Sequence, residues 1–426
     1  MEEPIYRLIS LSGFFVIAGI AWVTGTRTKI KIETIIGSIS LAWALGALTF
    51  WFSGSRTVLK WINDLLIALL GASHKGSIFL FGPLALNPGQ ILADGTPSIG
   101  FVLAFQVFPS VIFFSALVGG LYYLGIMQKM VQFFSKAFYR ILSLSGAESL
   151  AASANLFVGI ESGLTVRPYL AKMTRSELLT LMTCMMATVA STVMGIYVIA
   201  LHKIFPNIAG HLVSASLISI PCSILISKLF CPEHDQPKTL GESRNDSSGN
   251  LNQTNLMNAF IEGGSQGVKM AVGIAIVLII VLGLEALFDL ILIKLPEFQG
   301  QPFSAVRLLG WITFPFCILL GLRPEEWEIA SQILGSRFIE TEVSAYFSLA
   351  SIQATESALT IRSMTIMTYA LCGFVHISSM GIFMGGLSAL VPTRAQEISI
   401  IGLQALWTSF LATLLTGCIA GSLVLT

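Results

Sequence analysis

Apolar runs long enough to cross a lipid bilayer, roughly 20 residues each, recur at 8–23, 35–52, 98–125, 177–201, 208–230, 265–293, 363–391 and 398–425. That recurrence leaves few folds open. In hydrocarbon every backbone N–H and C=O must find a partner within the protein, so only helices and closed barrels span a membrane. Just 11% of the 426 residues are charged and 54% are hydrophobic, whereas roughly a quarter are charged in a soluble domain. The expected fold class is an all-α polytopic membrane protein with about eight transmembrane helices. Acidic Glu2 and Glu3 precede the first run where a cleaved signal would be basic, so the N-terminus is expected to be retained.

Other classes fall away on composition. The net charge is +1, which gives no electrostatic reason for a nucleic-acid partner. The six cysteines lie mostly inside apolar runs without a CxxC pair, so neither zinc nor a disulfide framework is expected. HExxH and GxxxxGK[ST] are absent. Two acids and a histidine are the raw material of an intramembrane hydrolase, but no nucleophile stands beside a base, and no enzyme is expected. Membrane lipid is the one partner that composition itself requires.

Charge sidedness organises the chain. Arg27, Lys29 and Lys31, then Lys129, Lys136 and Arg140, then Arg167, Lys172 and Arg175 belong to cytoplasmic loops, which retain positive charge. That places both termini outside, with Arg56, Lys60 and Lys75 also on the outer side. Segment 144–166, with Gly146, Gly159 and Gly163, enters and leaves on one side and reads as a re-entrant helical hairpin buried in protein. Segment 327–356, too polar for lipid and too apolar for a solvated loop, reads as a second hairpin from the opposite side.

Each hairpin precedes an apolar run with a polar middle. TVASTVMGIY at 188–197 and FVHISSMGIF at 374–383 align on Met-Gly-Ile plus an aromatic. Hydroxyls and glycine in mid-span are what an unwound helix needs. Two such helices in halves of opposite orientation make inverted repeats, the plan of a secondary transporter with its site near the midplane. The chain then divides into N-terminal scaffold helices (1–125), a first repeat (126–231), a cytoplasmic linker (232–262), a scaffold helix (263–294) and a second repeat (305–425). The first repeat holds an interfacial helix, hairpin 144–166, broken helix 177–201 and helix 208–230; the second holds an interfacial helix, hairpin 327–356, broken helix 363–391 and helix 398–425. Residues 126–142 set Met130, Phe133, Phe134, Phe138 and Ile141 on one face, as a surface-lying helix would. Glu285 and Asp289, one turn apart, read as an interfacial or interprotomer pair.

LGIMQ (124–128), SGAES (145–149), RPYLAKMTRSEL (167–178), ALCGF (370–374), SSMGI (378–382) and IAG (419–421) together resemble the concentrative nucleoside transporters, from Gly119 to Gly421. The resemblance implies a homotrimer in the cell inner membrane. It also implies a secondary symporter that imports a nucleoside or nucleoside-like solute, with sodium as coupling ion and no other cofactor. It places sodium at the side chains of Asn155 and Thr188 and the carbonyls of Val158 and Val189. It places the solute at Glu161, Ser162, Glu342, Phe374, His376 and Ser379, with Glu342 accepting from ribose hydroxyls.

The chain departs from the family in places. Ile160-Glu161-Ser162 stands where the family has Gln, Thr or Ser followed by Glu, and Thr341 and His376 each replace an asparagine. Isoleucine offers no hydrogen bond to a base edge, so another base or polyhydroxylated solute is the alternative substrate. Glu161 reads either as a site carboxylate or as a cap on the adjacent half-helix N-terminus. His376 reads as a substrate or proton group, or as a neutral bridge between helices. Because histidine titrates near neutrality and burial raises a carboxyl's pKa, proton coupling is the alternative to sodium.

Overall fold

The computed structural model describes residues 3–87, 90–92, 95–157, 162–202, 204–239, 255–297, 300, 302–353 and 358–424. In chain order its helices are α1 (Glu3–Thr24), α2 (Ile32–Trp51), α3 (Ser53–Phe81), α4 (Leu103–Gln106), α5 (Phe108–Tyr123), α6 (Ile126–Leu142), α7 (Gly146–Asn155), α8 (Ser162–Thr165), α9 (Arg167–Leu170) and α10 (Arg175–Ala187). There follow α11 (Ser191–Leu201), α12 (Ile208–Phe230), α13 (Leu256–Leu292), α14 (Ala305–Leu319), α15 (Trp327–Ser336), α16 (Glu342–Ile352), α17 (Ile361–Ala370), α18 (Ile377–Leu390) and α19 (Ala395–Leu423).

Among the described residues, seven stretches are helical, long and apolar enough to cross a membrane: Pro4–Thr24, Ile32–Trp51, Thr57–Ala85, Leu103–Tyr123, Ile208–Phe230, Leu256–Leu292 and Pro392–Leu423. Two further runs are helices in two pieces, α10 with α11 and α17 with α18, parted at 188–190 and 371–376. These breaks fall where the polar interruptions lie. The stretch Thr57–Ala85 was not among the expected runs, because Lys60, Asn63, Asp64, His74 and Lys75 dilute its hydropathy. Its polar face is used: Asn63 is buried and accepts from the Ala209 N–H at 3.3 Å, which seats α3 on the start of α12. The basic residues of 27–31 and 129–140 share one side of the membrane only if α3 lies along the outer face instead of crossing.

Helix α12 is the most buried of the crossing helices and α13 the least. Helix α6 carries two apolar stripes. Val131, Phe138 and Leu142 are buried in the protein, while Met130, Phe133 and Ile141 face outward, so the single face expected there is split. Helix α13 starts at Leu256 within the expected linker, and residues 240–254 lie outside the described chain. Asp289 of α13 accepts from the Ala305 N–H at 2.7 Å, which joins the end of α13 to the start of α14.

Helices α7 and α8 form the first hairpin, and α15 and α16 the second. Each root is tied to its own broken helix. Ser145, the N-cap of α7, donates from Oγ to Glu177 of α10 at 2.6 Å. Glu326, before α15, accepts from the Thr360 N–H at 2.6 Å and from the Ser363 hydroxyl at the start of α17. Around the first root Lys228 is ion-paired with Glu148, and it lies 3.4 Å from Glu233 and 2.9 Å from Ser176 Oγ. Thr239 completes the cap, accepting from Gly146 N at its carbonyl and from Ala147 N at its hydroxyl, both at 3.1 Å. The described start of the linker is therefore built into the hairpin root.

Helices α5 and α13 approach closely enough to require glycine. A Cβ at Gly263 would lie 2.5 Å from Ser115 O, and one at Gly119 would lie 2.6 Å from Ala259 O. Gly263-Gly264-Ser265-Gln266-Gly267 has the spacing of a hydrolase nucleophile elbow, but it sits inside α13 with Ser265 Oγ bonded to Ile261 O at 2.9 Å, not on a strand-to-helix turn. Overpacking costs about 1–3 kcal/mol. Gly263→Val is therefore expected to lower the melting temperature in detergent, while Gly273→Val, with nothing within 4 Å of its Cβ, should leave it unchanged. Equal melting of the two variants would contradict this packing.

Candidate ion and solute site

The first cluster forms where the end of α7 meets the break between α10 and α11. Thr188, the extended C-cap of α10, lies 2.8 Å from Cys184 O and 3.1 Å from Asn155 O. One hydroxyl hydrogen faces two carbonyls, so oxygens outnumber hydrogens here. Asn155 is wholly buried, and its Oδ1 accepts from Ser162 Oγ at 2.5 Å. Its Nδ2 has no partner among the described residues. Neutral oxygens at the negative end of a half-helix suit a hard monovalent cation.

The freed backbone of that break is satisfied from α12. Ser216 Oγ accepts from Val189 N at 3.1 Å and reaches Val189 O at 3.3 Å, and Ser219 Oγ donates to Ala187 O. Ser216, Ser219, Ser223 and Ser227 recur at helical spacing along α12. That stripe is the sequence signal for these partners.

The second cluster centres on Glu342, in the first turn of α16. Tyr197 Oη of α11 donates to its Oε1 at 2.8 Å, and His376 Nε2 lies 2.8 Å from its Oε2. His376 is also the N-cap of α18: its Nδ1 accepts from Ser379 N at 3.1 Å. An accepting Nδ1 puts the ring hydrogen on Nε2, aimed at the carboxylate. The imidazole thus bridges α16 and α18.

Ser379 completes the turn, its Oγ donating to the carbonyls of Phe374 and His376. Phe374 is half-buried, its ring 6.2 Å from that of Phe383. Tyr346 packs at a tilt against Tyr197 with ring centroids 4.6 Å apart and donates to Thr368 O at 2.8 Å.

Asn155, Ser162, Thr188 and Val189 are thus brought into one group, and Glu342, Phe374, His376 and Ser379 into another. Val158 and Glu161 lie outside the described residues. Gly373 joins the groups. Its φ of +153° favours glycine, and a Cβ there would lie 2.9 Å from Met186 O and 3.0 Å from Ala187 O. The two helix breaks therefore abut. Tyr197 belongs to the second group but was not singled out, because a tyrosine in an apolar run reads as packing.

His376→Ala should destabilise the protein by about 1 kcal/mol for the lost cap, with a further loss from the weakened hold on Glu342. His376→Asn, a good N-cap, should recover the capping part. Calorimetric melting of both variants measures the difference; equal destabilisation would remove the capping role.

Three models of known families match the chain. That of the Na+ dependent nucleoside transporter C-terminus covers residues 211–421, the nucleoside recognition model 104–203, and that of the Na+ dependent nucleoside transporter N-terminus 12–84. An uncharacterized transporter of Haemophilus influenzae is 32% identical, with 97% of each chain covered. Sodium/nucleoside cotransporter 1 of Rattus norvegicus is 30% identical over 98% of this chain and 64% of its own. The chain spans 59% of rat solute carrier family 28 member 3, which is also 30% identical. Among solved structures, CNTnw in an inward-facing substrate-bound state superposes with a TM-score of 0.87 at 30% identity, covering 98% of both chains. A CNTnw variant in an outward-facing state gives 0.89 at 28% identity, covering 98% of both.

Proposed function

The chain belongs to the Na+-dependent nucleoside transporter family and is a multi-pass membrane transporter, not an enzyme; from that premise we propose that it imports a nucleoside or nucleoside-like solute together with sodium by alternating access. The observation that carries this reading is the junction of the two breaks. The carbonyl of Asn155 and the hydroxyl of Thr188 stand 3.1 Å apart on one side of it, and on the other Gly373 leads from the same carbonyl-lined joint into Phe374, His376 and Glu342. An ion held by Asn155, Val158, Thr188 and Val189 would fix the shape of the first break, and through Gly373 that of the second. Solute would then be met by Glu161, Ser162, Glu342, Phe374, His376 and Ser379. Homotrimeric assembly in the inner membrane with both termini outside belongs to the same proposal.

Sodium is favoured over the proton by the hydrogen bonding of His376. A proton added at Nδ1 would displace the Ser379 N–H and undo the cap of α18, whereas an ion among the oxygens near Asn155 leaves that cap in place and competes instead with the hydroxyls of Ser162 and Thr188. Uptake into liposomes under imposed gradients tests this: accumulation is expected with a sodium gradient, and accumulation driven only by a pH gradient would overturn it.

Glu342 is proposed to accept from hydroxyls of the solute while Tyr197 and His376 hold it in place. A buried charge-assisted hydrogen bond contributes about 1.5–3 kcal/mol, so Glu342→Gln should weaken uptake about tenfold or more. Unaltered uptake by that variant would take Glu342 out of the solute site.

A further inference from the structure

The bulkiest fully buried side chain among the described residues is an arginine, Arg337, with no exposed surface. It follows α15 directly, at the turn of the second hairpin. Its Nη1 donates to Ala370 O at 2.5 Å and reaches Thr413 Oγ1 at 3.4 Å, and its Nη2 donates to Gly373 O at 3.0 Å. These partners are neutral oxygens. Ala370 is the last residue of α17 and Gly373 lies in the break after it, so the guanidinium sits on the negative end of a half-helix. An arginine stays charged even when buried.

The first repeat has the same arrangement without the side chain. Helices α7 and α15 are each 10 residues long, and each ends facing the C-terminal end of its half-helix, α10 or α17. Aligning the breaks on Met-Gly-Ile sets Ala187 opposite Gly373. The two positions also touch, because Gly373 packs on the carbonyls of Met186 and Ala187. At the first half-helix end the oxygens of Asn155 and Thr188 gather with no cationic side chain among their bonded partners in the described residues; at the second, oxygens gather around Arg337. Two half-helix ends, each equivalent to roughly −0.5 charge, therefore meet at one joint, and one of them is already neutralised by the chain.

We propose that Arg337 is a resident cation. It fills in the second repeat the position that the coupling ion takes in the first, so the protein moves a single cation with each solute. This rests on the reading that the Asn155–Thr188 cluster takes the ion.

The test uses the full-length protein in liposomes, with melting measured in parallel. For the wild type, uptake against sodium concentration should give a Hill coefficient of about one, since the coefficient is bounded by the number of cooperating sites. Arg337→Ala should melt lower and transport poorly, and millimolar guanidinium should restore both, while urea, its neutral counterpart of the same shape, should restore neither. Arg337→Lys, which keeps the charge, should retain uptake, whereas Arg337→Gln, which keeps donors without charge, should lose it.

Urea matching guanidinium, failure of both to rescue a folded Arg337→Ala protein, or Lys behaving like Gln would overturn the proposal. So would a wild-type Hill coefficient near two. Should Arg337→Ala fail to fold, the Lys and Gln variants decide. Failure of the underlying sodium reading shows separately, as wild-type uptake indifferent to sodium, and leaves the guanidinium and urea comparison able to speak.

Discussion

A helix broken inside a membrane exposes peptide groups that water cannot reach, and each costs several kcal/mol if left alone. The structure is arranged around finding partners for two such breaks. Ser216 and Ser219 of α12 serve the first; Arg337, Ser379 and the imidazole of His376 serve the second. That requirement explains why α12 is the most enclosed crossing helix, and why the hairpins bring their polar residues to the middle of the protein. It also explains Gly373, the point where the two breaks press together.

The two halves solve the same problem with different chemistry. The first break meets hydroxyls and an amide, groups that bind and release a small ion without changing their own charge. The second meets a guanidinium and a carboxylate held by a phenol and a ring N–H, groups that are fixed once placed. A fold built twice thus has one side suited to exchange and one suited to permanence. His376 shows how tightly the second side is specified: one ring caps α18 through Nδ1 and meets Glu342 through Nε2. Neither nitrogen is spare.

The apolar runs, the paired hairpins and the two breaks were legible in the sequence, because each is written in a contiguous stretch: hydropathy, the side on which Lys and Arg fall, the repeated Met-Gly-Ile. The gathering of Asn155 with Thr188, and of Glu342 with His376, was legible through resemblance. Other parts are contacts between distant residues, which periodicity does not carry. Tyr197 meets Glu342 across 145 positions, and Arg337 meets Gly373 across 36. Thr239 lies in the hydrophilic linker by sequence, yet its oxygens cap α7. Helix α3 is hidden in the sequence for a different reason: its polar residues lower the average hydropathy, although Asn63 is buried against α12. Glu161 lies outside the described residues.

The bonds at the hairpin roots bear on how the protein opens. Swinging a hairpin away at its base would break Ser145 from Glu177 on one side, or Thr360 and Ser363 from Glu326 on the other. Each is a charge-assisted bond, the stronger kind. A hairpin here is less a door on a hinge than a bracket bolted to the helix beside it. Under the alternating access proposed above, these bonds favour moving bracket and helix together, as one piece of freight.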